Sequence, residues 1–178
     1  MGMVFIGGVH AVGKGTLCNC LWRELGIQTY SSSKLIESAR NLTFSSDKNT
    51  NVVSANQAAL ISMVQQKKAL GQPFLLDGHF CLKGTNGVEA IPENVFLEIA
   101  PDAVIVLVAK AEIIQQRRKE RDGVNERLEE ITNFQKLELS EAKLIATKLR
   151  IPFLQANALE DYDNIKKFIC NVIAPSLS

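Results

Sequence analysis

The sequence predicts an α/β fold of three layers, with about five parallel strands flanked by helices. Short apolar runs recur at Met3 to Ile6, Pro73 to Leu76, Ala103 to Val108 and Ile151 to Leu154, with a weaker fifth at Ile27 to Tyr30. Each is followed within a few residues by a helix-compatible segment, and alternation of that kind produces parallel strands joined by helical crossovers. The run from Ala103 to Val108 has no polar face, as a central strand covered by helices on both sides requires.

Between the strands, the apolar spacing predicts helices at about 15 to 25, 32 to 41, 53 to 70, 111 to 121, 125 to 149 and 159 to 173. The second opens at Ser31-Ser32-Ser33, and the fourth stops at Gly123, a residue that readily takes the left-handed conformation ending a helix. In the fifth, Leu128, Ile131, Phe134, Leu137, Leu144 and Ile145 form an apolar face expected in the core. Spacing alone does not say whether Gln135 or Glu138 of that helix reaches a ligand. The polar stretch Asn41 to Asn51 reads as a loop, either an ordinary surface connection or a cover for substrate.

A chain of 178 residues and 19.6 kDa fits one domain spanning 1–178, large enough to bury a core without staples. Lys and Arg total 20 against 19 Asp and Glu, so no overall field favours nucleic acid or an anionic membrane. Phosphate chemistry, if present, has to be local. No apolar stretch reaches the roughly 18 residues that span a bilayer, and the opening MGMVFIGG reads as a buried strand instead of a signal peptide. A cytoplasmic protein is expected. Cys18, Cys20, Cys81 and Cys170 match no zinc spacing, and the first two point to opposite faces of a helix, so reduced thiols are expected.

The strongest motif is Gly8-Val9-His10-Ala11-Val12-Gly13-Lys14-Gly15-Thr16, placed between the first strand and the first helix. There, glycines let the backbone turn tightly and present N–H groups to phosphate oxygens, with the helix dipole adding attraction. This is a P-loop, which makes the fold a three-layer P-loop NTPase. ATP is its expected ligand, with Lys14 reaching the β- and γ-phosphates and Thr16 contacting Mg2+. His10 either bonds a phosphate or the loop, or simply sits at its surface. Ala11 stands where positive φ is costly, so the loop must tolerate it or differ in shape.

Phe74-Leu75-Leu76-Asp77-Gly78-His79 ends a strand with an acid, where an open α/β sheet presents ligands. Asp77 either helps to hold Mg2+ or caps the strand end. His79 is either a substrate or phosphate contact or a buried structural histidine. Downstream, Arg117, Arg118 and Arg121 are spaced so that all three can share one side of a helix, and the guanidinium fork suits a transferring phosphoryl group. Mixed Arg, Lys and Glu can equally form a solvated face.

Lys14-Gly15-Thr16 is similar to the P-loop of adenylate kinases and other nucleoside monophosphate kinases. Leu76-Asp77-Gly78 resembles the strand end of the bacterial enzymes. The spacing Asp77 to His79, and Gly87 to Pro92 followed by Pro101-Asp102, resembles the archaeal type. The resemblance implies a short arginine lid near 117–127, with Arg117 and Arg121 catalytic, Arg118 on the nucleotide and Arg127 a further contributor. The short connection leaves no room for a zinc-bearing lid. It also implies an acceptor site at Ser32, Arg40, Gly78 and His79. Departures from the family pattern are His10 and Ala11 in place of Pro and Gly, Glu37 near an expected arginine, and Phe80-Cys81-Leu82 where a second arginine belongs. Serines 31 to 33 could equally be a helix cap.

The expected activity is transfer of the γ-phosphoryl group of MgATP to a small acceptor, AMP or another nucleoside monophosphate first. The alternative is a nucleotide-dependent ATPase or switch acting on a protein partner, which the departures at the acceptor side motivate. No Asn/Thr-Lys-x-Asp sequence supports a guanine-specific switch.

Overall fold

The computed structural model describes residues 2–42, 52–84 and 87–173. Along the chain lie β1 (Met3–Gly7), α1 (Lys14–Leu25), β2 (Gln28–Ser31), α2 (Ser32–Leu42) and α3 (Val52–Ala69). Next come β3 (Phe74–Asp77), β4 (Cys81–Gly84), β5 (Gly87–Ala90), α4 (Glu93–Ile99) and β6 (Ala103–Leu107). The chain closes with α5 (Ala111–Asp122), α6 (Leu128–Leu149), β7 (Phe153–Ala156) and α7 (Tyr162–Ile173). The expected loop at 41–51 falls, from residue 43 on, outside the described residues.

Five strands form one parallel sheet in the order β2-β3-β1-β6-β7. β1 and β6 occupy central positions and are buried throughout, which is why their sequences carry no polar alternation. Since β1 connects outward to β2 while β3 connects across it to β6, the sheet reverses direction of winding between β1 and β3. That crevice is where such sheets bind ligands. Register then fixes chemistry. Ile6 pairs with Asp77, Gly78 N–H donates to Ile6 O at 3.0 Å, and Ser31 sits opposite Asp77 on the other flank.

Three elements escaped the alternation pattern. β4 and β5 make a separate antiparallel hairpin, with strands of four residues that are mostly exposed beyond Cys81. α4 has seven residues, fewer than two full helical repeats. Its Phe96 stacks on Phe80 with centroids 5.0 Å apart, and Phe5 meets both edge-on at 4.9 and 5.4 Å. This aromatic trio pins the hairpin and α4 onto the end of β1.

The α6 face departs from the expected one. Helix starts at Leu128, not 125, and Leu128, Leu137 and Leu144 are exposed. The buried line runs Ile131, Phe134, Glu138, Ala142, Ile145 and Ala146. A carboxylate enters that line because Glu138 accepts the backbone N–H groups of Phe80 (3.0 Å) and Cys81 (3.1 Å), donors the hairpin would otherwise leave unpaired. All four cysteines are free. No described helix is long and apolar enough to cross a membrane.

One side chain of α6 fixes the base of α5. Gln135 Oε1 accepts the N–H of Ala109 at 3.0 Å and its Nε2 donates to the carbonyl of Ala109 at 2.9 Å, a two-point clamp on the β6–α5 loop. Gln135→Leu leaves both backbone groups unpaired in a partly buried place and is expected to cost about 2 kcal/mol. Urea unfolding should show a lower midpoint at unchanged slope.

Candidate functional site

A cleft of about 1090 Å³ opens along the carboxyl edge of the sheet, lined by residues 10–16 of the phosphate loop together with Ser32, Asp77, His79, Arg117 and the 157–160 turn. The loop's shape is a sequence of forced turns. Gly8 has φ 137°, and a Cβ there would sit 2.7 Å from the Leu107 carbonyl oxygen. Ala11 has φ 66°. The loop therefore tolerates a left-handed alanine, at a cost of about 1 kcal/mol, and keeps the turn that a glycine would give freely.

Inside that turn lies the ammonium of Lys14, whose residue is 8% exposed. It donates to Gly8 O at 2.6 Å and Val9 O at 3.3 Å, and stands 3.8 Å from Asp77 Oδ1. Burial lowers the Lys14 pKa below the ordinary lysine value, only partly opposed by Asp77 and then Glu138. Burial raises the Asp77 pKa above the ordinary carboxylate value, partly opposed by Lys14 and His79. At 3.8 Å, beyond hydrogen-bond reach, neither charge recovers from the other what desolvation takes.

The three arginines of α5 do different things. Arg117 Nη1 donates to the carbonyls of Ala11 and Val12, both at 3.2 Å, and lines the cleft. Arg121 also lines the cleft, half-exposed and paired with the adjacent Asp122 at 2.8 Å. The expectation that Arg118 joins them is corrected. One residue beyond Arg117 it points about 100° around the helix, is buried, donates through Nε to His10 O at 3.2 Å and pairs with Glu126. Buried Glu126 also pairs with Lys83 of the hairpin. Arg118 thus lines a smaller hollow of about 530 Å³ behind the loop. Arg127 is exposed, pairs with Glu130, and lines neither.

Gly8 and Val9 lie beneath the cleft floor instead of in its lining. His10 is exposed, 3.8 Å from Asp122, and partial desolvation followed by Arg121 and Lys14 lowers its pKa from the ordinary histidine value, with Asp122 opposing. Thr16 and Gly15 are exposed at the start of α1 and line the cleft. Ser32, Gly78 and His79 also line it, and a Cβ at Gly78 would meet Phe5 and Ser32 Oγ at 2.7 Å, so only glycine lets α2 approach here. His79 Nδ1 lies 3.4 Å from Glu138 Oε1 without a hydrogen bond. Arg40 is corrected as well. It is exposed near the end of α2, two turns beyond Ser32, and does not line the cleft.

Sequence reasoning passed over the turn after β7. Asn157 Oδ1 accepts Leu159 N–H at 3.0 Å, Asp161 accepts Asn157 N–H at 2.7 Å, and Ala158 packs against Gly13. The signal was available, since this turn follows a strand's carboxyl end just as Asp77 does. As for metal, no group of three or more His, Cys, Asp or Glu among the described residues forms a metal cage. One carboxylate and one hydroxyl, Asp77 and Thr16, fit Mg2+ brought in by a triphosphate, because that ion keeps waters and phosphate oxygens as its other ligands.

Because its folded pKa is raised, Asp77 stabilises the fold only while protonated. That contribution is complete below the ordinary value of 3.8 and disappears as pH rises through the folded value. Asp77→Asn is therefore expected to raise stability at pH 7, the gain shrinking towards zero as pH falls to 3.8. Thermal unfolding across pH checks both the sign and the window.

The AAA domain family model matches residues 7–138. No curated protein matches the chain by sequence. Among solved structures, shikimate kinase from Acinetobacter baumannii, solved in complex with shikimate, superposes with a TM-score of 0.60 at 16% identity, covering 100% of this chain and 96% of that one. A sugar kinase from Janibacter sp. HTCC2649 gives 0.58 at 14% identity over 100% and 98%. A gluconokinase from Sinorhizobium meliloti 1021 gives 0.53 at 13% over 98% and 92%. At these identities the likeness is one of fold, the five-stranded parallel sheet flanked by helices. With the match spanning most of its length and the phosphate loop within it, the chain belongs to the AAA domain family and has the fold of P-loop kinases.

Proposed function

We propose that the protein is a phosphotransferase that moves the γ-phosphoryl group of MgATP to a small acceptor. The observation that carries this is Lys14, buried under the loop at 3.8 Å from Asp77, at the floor of a cleft that continues past both. A nucleotide alone would need the half towards β6 and β7. The kinase activities named for structures of the same fold support the reading.

In this reading the backbone N–H groups of 8–16 cradle the phosphates, and Lys14 exchanges its bonds with Gly8 and Val9 for the β- and γ-oxygens. Asp77 and Thr16 would hold Mg2+, which would supply positive charge to offset that developing on the triphosphate. Arg117 keeps the loop in shape from its carbonyl side, and with Arg121 faces the transferring group from α5 as a short lid over 117–127. Arg118 positions the loop through His10 and touches no ligand. The turn at 157–160 borders the nucleotide half, while Ser32, Gly78 and His79 border the acceptor half. Residues 1–178 act as one unit in this account. AMP, the first expectation from the adenylate kinase resemblance, stands beside other small acceptors, as the sugar and shikimate kinases of the same fold illustrate.

Incubation with MgATP and a panel of small acceptors, read by mass spectrometry of phosphorylated product, tests the reading. Hydrolysis that no acceptor stimulates would overturn it in favour of an ATPase or switch. Lys14→Ala is expected to lower kcat/KM for ATP at least a hundredfold, with the melting temperature reporting that the variant folds.

A further inference from the structure

We propose that the acceptor is an uncharged, hydroxyl-bearing molecule with a broad apolar face, a nucleoside being the nearest common kind, and that Ser32 and Asn56 make its polar contacts. The inference rests on the phosphotransferase reading and concerns the half of the same cleft that lies over β2 and β3.

That half is walled by Phe5, Ile36, Leu60, Ile91, Val95 and Phe96. Asp77 is the one Asp, Glu, Lys or Arg side chain among the described residues lining it. Lys14, Arg117 and Arg121 belong to the loop and to α5, where the triphosphate needs them. Lys34 and Arg40, the cations of α2, do not line it. A phosphate or carboxylate entering here would lose water against apolar walls and meet the Asp77 carboxylate, whose nearby cation, Lys14 at 3.8 Å, is engaged by the triphosphate in the proposed reaction.

Three polar atoms on this side are buried without a hydrogen bond, Ser32 Oγ, Asn56 Oδ1 and His79 Nδ1, the last facing Glu138 Oε1 at 3.4 Å. All three residues line the cleft. A buried carbonyl oxygen without a donor is costly, and an N–H or O–H on a bound molecule would remove that cost. Gly78 enforces the placement of the hydroxyl, since any side chain there would collide with it. Apolar walls with a few convergent polar atoms are how sites select neutral ring compounds.

In the transfer, the acceptor's hydroxyl oxygen bonds to the γ-phosphorus. The bond to the β,γ-bridging oxygen breaks with its electron pair leaving on ADP. The hydroxyl proton is released to solvent late, as a loose transition state permits.

Matched pairs test this. The full chain with MgATP is offered adenosine and AMP, cytidine and CMP, guanosine and GMP, uridine and UMP, with product identified by mass spectrometry. The expected result is phosphorylation of at least one nucleoside at a kcat/KM tenfold or more above its monophosphate. Asn56→Leu should raise the KM for that nucleoside about tenfold while the KM for ATP stays put. Gln57→Arg, adding a cation to the same wall, should shift preference towards the monophosphate. Preference of the unaltered protein for a monophosphate overturns the inference and leaves the phosphotransferase reading standing. No product from either member of any pair, while ATP still binds, overturns the inference; stimulation by any other acceptor then preserves the phosphotransferase reading.

Discussion

A buried ammonium has to be surrounded by oxygen, and Lys14 finds its oxygen in the backbone that precedes it. The bond to Gly8 O at 2.6 Å closes a ring from Gly8 to Lys14, and that ring exists only because the chain reverses at Gly8, Ala11 and Gly13, all with positive φ. Much of the surrounding architecture serves this closure. β1 has to be central so that the loop leaves the sheet with a partner strand on each side, and it is bonded to β3 and β6 along its length. Pairing of Ile6 with Asp77 then delivers the acid to the lysine without any long-range search, because register is a property of the sheet.

Such regular features were readable from sequence. Strand alternation gave the sheet, the all-apolar run at 103–108 gave its centre, and glycine spacing gave the loop, since each is a local pattern with a periodic or steric cause. What was not readable depends on contacts between residues far apart. Whether Glu138 reaches a ligand could not be read from spacing, and its partners in the fold are Phe80 and Cys81, nearly sixty residues earlier, which present two N–H donors to it. The exposed leucines of α6 misled for the same reason. Arg118 was grouped with its neighbours because spacing of three and four residues says which side chains can share a face, and nothing about which way that face turns.

Arg118 is also where the loop is tied to the rest of the molecule. Glu126 gathers Arg118 and Lys83, so one buried carboxylate joins α5, the α5–α6 connection and the hairpin, while Arg118 itself holds His10 O. From the other side Arg117 holds Ala11 O and Val12 O. Adjacent arginines therefore grip three successive carbonyls of the loop, and movement of α5 must be felt by the phosphate cradle. Buried charge networks are weak contributors to net stability, yet breaking one is costly. This network is better understood as fixing geometry than as adding stability.

The electrostatics of Lys14 and Asp77 point the same way. Both charges lose more to burial than they regain from each other, so each pKa moves towards the neutral form. A fold selected for stability alone would close the 3.8 Å gap or replace the pair with apolar groups. Keeping them apart leaves space for phosphate oxygens against the lysine and a cation against the acid, which supply the missing partners together. Binding is then coupled to folding, because a ligand that completes the pair stabilises only the folded chain. The same argument separates the two halves of the cleft. Over the loop the unpaired groups are charges, complemented by a metal-bound triphosphate. Over β2 and β3 they are a hydroxyl, an amide oxygen and an imidazole nitrogen, whose complements are hydrogen-bond donors and acceptors without net charge. In the proposed transfer the two halves would therefore take ligands of different kinds, as a transfer between two molecules requires.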